Sequence, residues 1–308
     1  MRHFDPVSLR LFVSVCEERN IALAAEREAI VPSAISKRIS ALEEQLGVQL
    51  FKRGRRGVVI TPAGEALLRY ARELLQYMER MHGELSEFAH GVHGHVRVVA
   101  SLSAMVEFLP DDISAFVQRY EKVRVRLDEK ISSEIVRGVE EGRADVGICW
   151  NASNLHSLES IPYHSDHLAV VVPRAHALAA SQGVSFEETL DFEHVDIQPG
   201  SIVQLMLQRH ATAAGKTMRY RIQVATFDTA CRIVAANLAI AIVPQEVAAT
   251  FEHSLGLQAI PLTNAWAHRQ FVICVKGYAA LSNPVRLLVD TLSASASTRP
   301  PIMRADSV

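Results

Sequence analysis

The sequence predicts an α/β protein in two parts: a mostly α winged helix-turn-helix at the N-terminus and a two-lobed α/β domain behind a long connecting helix. Three observations predict this. Residues 32–46 are amphipathic at helical spacing and lead into the basic stretch Phe51-Lys52-Arg53-Gly54-Arg55-Arg56. Apolar residues between Leu67 and Phe88 recur every three or four positions. Beyond Gly91, strand-like apolar runs alternate with helical stretches, the pattern of a parallel sheet with crossover helices.

The expected boundaries are 1–60 for the winged unit, 61–90 for the long helix and 91–308 for the two-lobed domain. Its first lobe takes residues 91–165 and 266–295, its second 166–265. Charge is uneven along this plan. The chain carries net −2, which excludes a generally basic nucleic-acid coat. Residues 33–56, however, hold six Lys or Arg against Glu43 and Glu44, whereas the region from Gly91 onward is slightly acidic. Positive charge concentrated on one helix and its neighbour is the footprint of a DNA contact. The plainer reading of a charge run is a solvated face; its position beside the helix favours the contact.

Asp5-Pro6 starts the first helix, with an oxygen cap before a proline. Asn20 caps a second, short helix that carries the small pair Ala24-Ala25. In the third helix Ile39, Leu42 and Leu46 return to within about 40° of Ile35, while Ser33, Lys37, Ser40 and Glu44 lie near the opposite pole and Ser36 flanks them. Short polar side chains let such a helix enter a major groove, where a cation donates to guanine edges. Ser33, Ser36, Lys37 and Ser40 are therefore the candidates for base contacts. Arg38, Lys52, Arg53, Arg55 and Arg56 are the candidates for phosphates. Val58-Val59-Ile60 reads as the returning strand of the wing.

Thr61-Pro62 opens the long helix. Leu67, Ala71, Leu74, Met78, Met81, Leu85 and Phe88 form a heptad seam, with charged residues on the other faces. The expectation is a dimerisation helix ending at the Gly91-Val92-His93-Gly94 break. Pairing matters because one short reading helix discriminates little, while two half-sites multiply the effect.

In the C-terminal region, strands are expected at 95–100, 123–129, 145–148, 168–173, near Val195 and at 221–225. Helices are expected up to Tyr120 and at 133–142, 185–191, 201–214 and 229–237. Runs 239–244 and 271–276 are read as returning the chain to the first lobe. Ligands of open α/β sheets lie beyond strand C-termini. The junctions there offer Ser101, Ser103, Ser132, Ser133, Gly200, Ser201, Thr226 and Phe227, with Trp150 and Phe227 as apolar walls. Hydroxyls and helix N-termini favour an anion, so a small carboxylate is the expected ligand. Each serine alone is as readily explained as a helix cap, and Asp228 argues against an anion if it faces inward.

Residues 9–64 resemble the N-terminal domain of LysR-type transcriptional regulators. The resemblance rests on Phe12, Ala24-Ala25, Ala34-Ile35-Ser36-Lys37-Arg38-Ile39, Leu42-Glu43, Leu46-Gly47-Val48-Gln49-Leu50-Phe51, Arg53, Arg56 and Thr61-Pro62-Ala63-Gly64. It continues through the C-terminal domain. It implies a periplasmic-binding-protein-like effector domain with its pocket between lobes, promoter or operator DNA as partner, a small-molecule effector, contact with RNA polymerase, and a homodimer or homotetramer. The chain departs from the family pattern at Val31, Pro32-Ser33 and Glu28, and has Asn237 and Ala239 where glycines are usual. Asn tolerates the left-handed conformation a helix end requires.

Other chemistry has less behind it. His90, His93 and His95, or His164, Asp166 and His167, lack the thiols or regular spacing of a metal site, and no metal or cofactor is expected. The four scattered cysteines indicate no disulfide framework. With no phosphate loop or nucleophile elbow, an enzyme is a weak alternative; a constitutive DNA-binding protein with a non-responsive lobe pair is the other. The N-terminal residues have no signal-peptide core, and no 18-residue apolar run occurs, so a soluble, cytoplasmic protein without membrane attachment is expected. The Ser-, Ala- and Pro-rich segment from Ser293 is expected to fray.

Overall fold

Three short helices and a hairpin make the N-terminal unit. The computed structural model describes residues 4–54, 57–90 and 92–298, in two units: residues 1–91 with 141–143, and the remainder. Helix α1 (Pro6–Glu18) starts where the Asp5 carboxylate accepts the N–H groups of Val7 and Ser8, at 3.2 and 3.1 Å. Asn20 does the same for α2 (Ile21–Arg27), accepting from Ala22 at 2.8 Å. Helix α3 (Pro32–Leu46) follows Val31, whose side chain has no oxygen to offer as a cap, and ends at Gly47 in the left-handed region, φ 71°. Phe12, Ala24, Ile35 and Leu50 are fully buried at the centre of this unit.

Strands β1 (Phe51–Gly54) and β2 (Gly57–Ile60) pair antiparallel, Phe51 opposite Ile60. The wing is pinned to α3 by Glu43, whose Oε1 accepts from the backbone N–H of Leu50 at 2.7 Å and of Phe51 at 3.2 Å. The Thr-Pro-Ala-Gly turn is explained by close packing. Thr61 Oγ1 donates to the Gln49 carbonyl at 2.7 Å and accepts from the Gly64 N–H at 3.1 Å. A Cβ on Gly64 would stand 2.4 Å from the Leu50 carbonyl oxygen, so no other residue fits. Helix α4 (Pro62–His90) leads out of this turn.

The second unit opens with β3 (Gly94–Ala100), α5 (Leu102–Glu107), α6 (Leu109–Arg119), β4 (Val123–Glu129), α7 (Ser132–Glu140) and β5 (Val146–Trp150). Strands β4, β3 and β5 are parallel neighbours. The single helix expected before Tyr120 is two, because Pro110 sits in the first turn of α6 and cannot continue a helix from Phe108. Strand β6 (Glu159–Pro173) is a 15-residue ribbon shared by both lobes; the expected strand 168–173 is only its second half.

The second lobe contains α8 (Phe186–Thr189), β7 (His194–Ile197), α9 (Ile202–Ala213), β8 (Tyr220–Val224), α10 (Phe227–Ala235), β9 (Ala241–Pro244), α11 (Gln245–Leu255) and β10 (Leu257–Pro261). Strands β9 and β10 flank the second half of β6, so residues 239–244 do not return the chain to the first lobe. A continuous apolar run such as Ala241–Pro244, buried throughout, identifies a buried strand but not its neighbour. The return is made by β11 (His268–Val275), antiparallel between β5 and the first half of β6.

Helix α12 (Asn283–Thr298) closes the first lobe. Its Val285, Leu288, Val289 and Leu292 enter the core around Phe116 and Ile148. Ser293–Thr298 is therefore helical rather than frayed. Leu292 anchors the turn before it, and Ser295 Oγ bonds Asp112 at 2.9 Å. Residues 299–308 of the expected tail lie outside the described residues. No described helix is long and apolar enough to cross a membrane.

Candidate functional site

Two places bring the predicted residues together. The first is the outer face of α3. Ser33, Lys37 and Ser40 are exposed there and Ser36 is half-buried, while Ile35, Ile39 and Leu42 are buried behind them. Lys52 is exposed on β1. Arg38 has a structural partner: its Nη1 lies 2.6 Å from Asp5 Oδ2 and 3.1 Å from Ser8 Oγ, tying α3 to the cap of α1. The side chain of Arg53 and all of Arg55 and Arg56 lie outside the described residues.

The long helix corrects one expectation. Ala71 is buried and Leu67 half-buried, and both pack against the core of their own unit with Leu68 and Leu75. The first heptad of the predicted seam is thus an intramolecular contact. Exposed apolar side chains instead occupy Tyr70, Leu74, Tyr77, Met81 and Leu85, a stripe rotated from the expected one that shares Leu74, Met81 and Leu85 with it. Met78 is half-buried, and the side chain of Phe88 is outside the described residues.

The second place is a cleft of about 780 Å³, its mouth included, between the lobes of the second unit. Ser101, Ser103, Ser132, Trp150, Ser201 and Phe227 line it, as expected. Ser133 and Thr226 are exposed and do not. Thr226 caps α10 by accepting from Thr229 at 3.3 Å. Gly200 makes the turn before α9 at φ 79°, donating its N–H to Gln204 Oε1 at 2.7 Å, rather than lining the space. Ser201 both lines the cleft and caps α9. Asp228 pairs with Arg232 at 3.0 Å on the exposed side of α10 and does not line the cleft.

The cleft floor carries a buried ion pair. Arg269 Nε meets Asp166 Oδ1 at 2.7 Å, a second bond joins Nη2 to Oδ2, and Nη2 also donates to Ser103 Oγ at 3.1 Å. Burial, and then the adjacent Asp166 charge, push the Glu107 carboxyl well above the ordinary carboxylate range. That shift favours the neutral form of Glu107, and the ion-pair partner of Arg269 among the described residues is Asp166. The metal candidates are engaged elsewhere: His164 Nε2 faces Asp112 at 3.3 Å, and His167 Nε2 meets the Leu262 carbonyl at 2.7 Å.

On the opposite wall, Asp196 of β7 is 5% exposed. Its Oδ2 accepts from Gln204 at 2.8 Å and Gln223 at 3.2 Å, while its buried Oδ1 has no partner among the described residues. The Tyr220 hydroxyl and Ser101 Oγ, both lining the cleft, are likewise buried without a hydrogen bond. Burial, followed by the Asp196 charge, pushes the Tyr220 hydroxyl up to about 12, and burial lowers the His194 imidazole to about 4, so it is neutral.

Two family models cover this chain. Residues 7–65 match the bacterial regulatory helix-turn-helix protein, lysR family, and residues 89–297 match the LysR substrate binding domain. The chain belongs to the LysR family of transcriptional regulators. It is 27% identical over 244 residues to the uncharacterized HTH-type transcriptional regulator YbhD of Escherichia coli (strain K12), covering 79% of this chain and 77% of that one. The fold is that of a full-length OxyR variant from Pseudomonas aeruginosa (TM-score 0.74, 19% identity, 96% and 95% of the two chains). It is also that of full-length CbnR complexed with its target DNA (TM-score 0.65, 22% identity, 95% and 100%).

Sequence reasoning about this LysR regulator missed the polar residues that most distinguish its cleft. Asp166 and Arg269 stand 103 positions apart, each in a polar stretch of its strand, and nothing local marks them as partners. Asp196 had a weak signal, a lone carboxylate in the strand His194–Ile197. Tyr220 had none, since a tyrosine at a strand start is ordinary β composition.

Proposed function

We propose that this regulator binds double-stranded DNA as a dimer, through α3 in the major groove and the wing on the backbone, and that a small molecule in the interlobe cleft modulates binding. The observation that carries the effector half is the set of unpaired polar atoms in the cleft, Ser101 Oγ, Asp196 Oδ1 and the Tyr220 hydroxyl. Each unpaired buried polar atom costs about 1–3 kcal/mol, a cost that a ligand supplying the partners would remove. The exposed Tyr70-Leu74-Tyr77-Met81-Leu85 stripe supports helix-to-helix pairing of two copies. Tetramer formation through the effector domains and contact with RNA polymerase are further steps of this reading. Of the carboxylate effector the sequence suggests, the serine-rich wall is compatible, but Asp196 would repel a carboxylate beside it.

Lobe movement on ligand binding would change the spacing of the paired reading helices. By linkage, DNA and effector must then alter each other's affinity equally. The test is fluorescence anisotropy with selected and random duplexes over a salt series. About eight neutralised phosphates per dimer give a slope of log affinity against log salt near −7. Lys37→Ala should relax sequence preference, whereas Lys52→Ala should weaken all sequences alike. A flat salt response, or equal losses for both variants on both duplexes, rejects the assignment.

A further inference from the structure

Asp196 is the one buried charged residue lining the cleft that has no oppositely charged partner among the described residues. Arg269 is paired with Asp166, burial keeps His194 neutral, and Lys130, which also lines the cleft, is exposed. The donors to Asp196 are two neutral amides, both on Oδ2. Burial raises the Asp196 carboxyl against the two amide hydrogen bonds that lower it, so its ionised form is disfavoured until a cation arrives to pair with it. Tyr220 stands within electrostatic reach of it on the neighbouring strand β8, and its hydroxyl is also unpaired. The two do not bond to one another, so the wall of the cleft holds two unpaired acceptors.

We infer that the effector carries a protonated primary amine, held by Asp196 Oδ1 and the Tyr220 hydroxyl, and lays an apolar body against Trp150, Phe227 and Phe271. This rests on the effector reading above and replaces its carboxylate with an ammonium at this end of the cleft. An ammonium has three donors and one positive charge, so it meets both unpaired acceptors and the uncompensated charge together. The Ser101 hydroxyl, on the first lobe, is left to receive a polar group at the other end. A carboxylate there would make the ligand an amino acid. Since Ser101 and Asp196 belong to opposite lobes, a ligand reaching both would bridge them, which links this chemistry to lobe closure.

Calorimetric titration of the full-length protein with three matched probes tests the inference: phenethylamine, phenylalanine and 3-phenylpropionate. The two ammonium probes should bind, and 3-phenylpropionate should bind roughly ten- to hundred-fold more weakly. The ratio of phenylalanine to phenethylamine reports whether a carboxylate is also recognised. Asp196→Asn keeps the amide contacts and should erase the preference, and Tyr220→Phe should reduce it while leaving thermal stability unchanged. Preferential binding of the carboxylic acid overturns the inference but leaves the effector reading standing. No binding by any of the three overturns the inference, and an unchanged preference in a folded Asp196→Asn protein does so too. DNA affinity measured alongside tests the regulator reading separately.

Discussion

Glu43 Oε1 lies 2.7 Å from the backbone nitrogen of Leu50 and also accepts from Phe51, so one carboxylate on α3 sets the start of the wing. Leu50 is fully buried, and its N–H has no water to turn to. Glu43→Ala should therefore lose about 1–3 kcal/mol of stability in the N-terminal unit. Its DNA affinity should fall as well, because wing and helix no longer hold one geometry. Glu43→Gln keeps an acceptor without the charge and should fall between. Thermal unfolding and anisotropy check this; an unchanged melting temperature for Glu43→Ala would remove the clamp.

Helix α4 separates two kinds of apolar position that a repeat alone conflates. Ala71 is 1% exposed and faces its own unit, whereas Leu74 and Met81 are 42% and 50% exposed. Leu74→Glu with Met81→Glu should leave each protomer folded and shift the protein from dimer toward monomer in sedimentation velocity. Ala71→Glu should instead unfold the N-terminal unit, because it buries a charge without a partner. If the Leu74 and Met81 pair remains dimeric at low micromolar concentration, the stripe is not the interface.

These contrasts show where the sequence was readable and where it was not. Caps at Asp5 and Asn20, the α3 face and the Thr61–Gly64 turn are local, since spacing and side-chain type determine them. The left-handed conformation at Asn237, φ 56°, follows from residue chemistry in the same way. The orientation of the α4 seam is not local. Leu67 and Ala71 turn inward because they pack into the N-terminal core, and a heptad says nothing about that core. Strand partners are equally hidden, as β9 and β11 are similar apolar runs serving different lobes. Ser101 was legible as a junction residue. That its hydroxyl caps nothing, and stays unpaired in the cleft wall, required the structure.

Acid should loosen the first lobe through Asp112. Burial raises this carboxyl, but hydrogen bonds from His164, Tyr163 and Ser295 outweigh it, and the net shift is below the ordinary 3.8. A lowered folded-state value means the unfolded chain binds the proton more readily. The stabilisation is thus complete above 3.8 and disappears as pH falls through the lowered value. Asp112→Asn should melt lower than wild type near neutrality, with the gap narrowing on acidification. Melting temperatures of both proteins over a pH series check this; a constant gap down to the most acidic folded condition contradicts it.

The Arg269–Asp166 pair should behave unlike an ordinary buried ion pair because Glu107 is beside it. Removing one partner of a buried pair costs about 3–5 kcal/mol, since a charge is left alone. Here the Asp166 charge, after burial itself, raises the Glu107 carboxyl and so favours its protonated form. In Asp166→Asn that repulsion is gone while Arg269 remains, so Glu107 can ionise and take over the pairing. The single substitution should cost less than the usual range. Glu107→Gln alone should also be mild, because it replaces a neutral group with a neutral one. The double variant has no carboxylate left to meet Arg269, and its loss should exceed the sum of the singles by about 1–3 kcal/mol. Urea unfolding of the four proteins closes this cycle; additive losses would mean that Glu107 stays protonated whatever stands at 166.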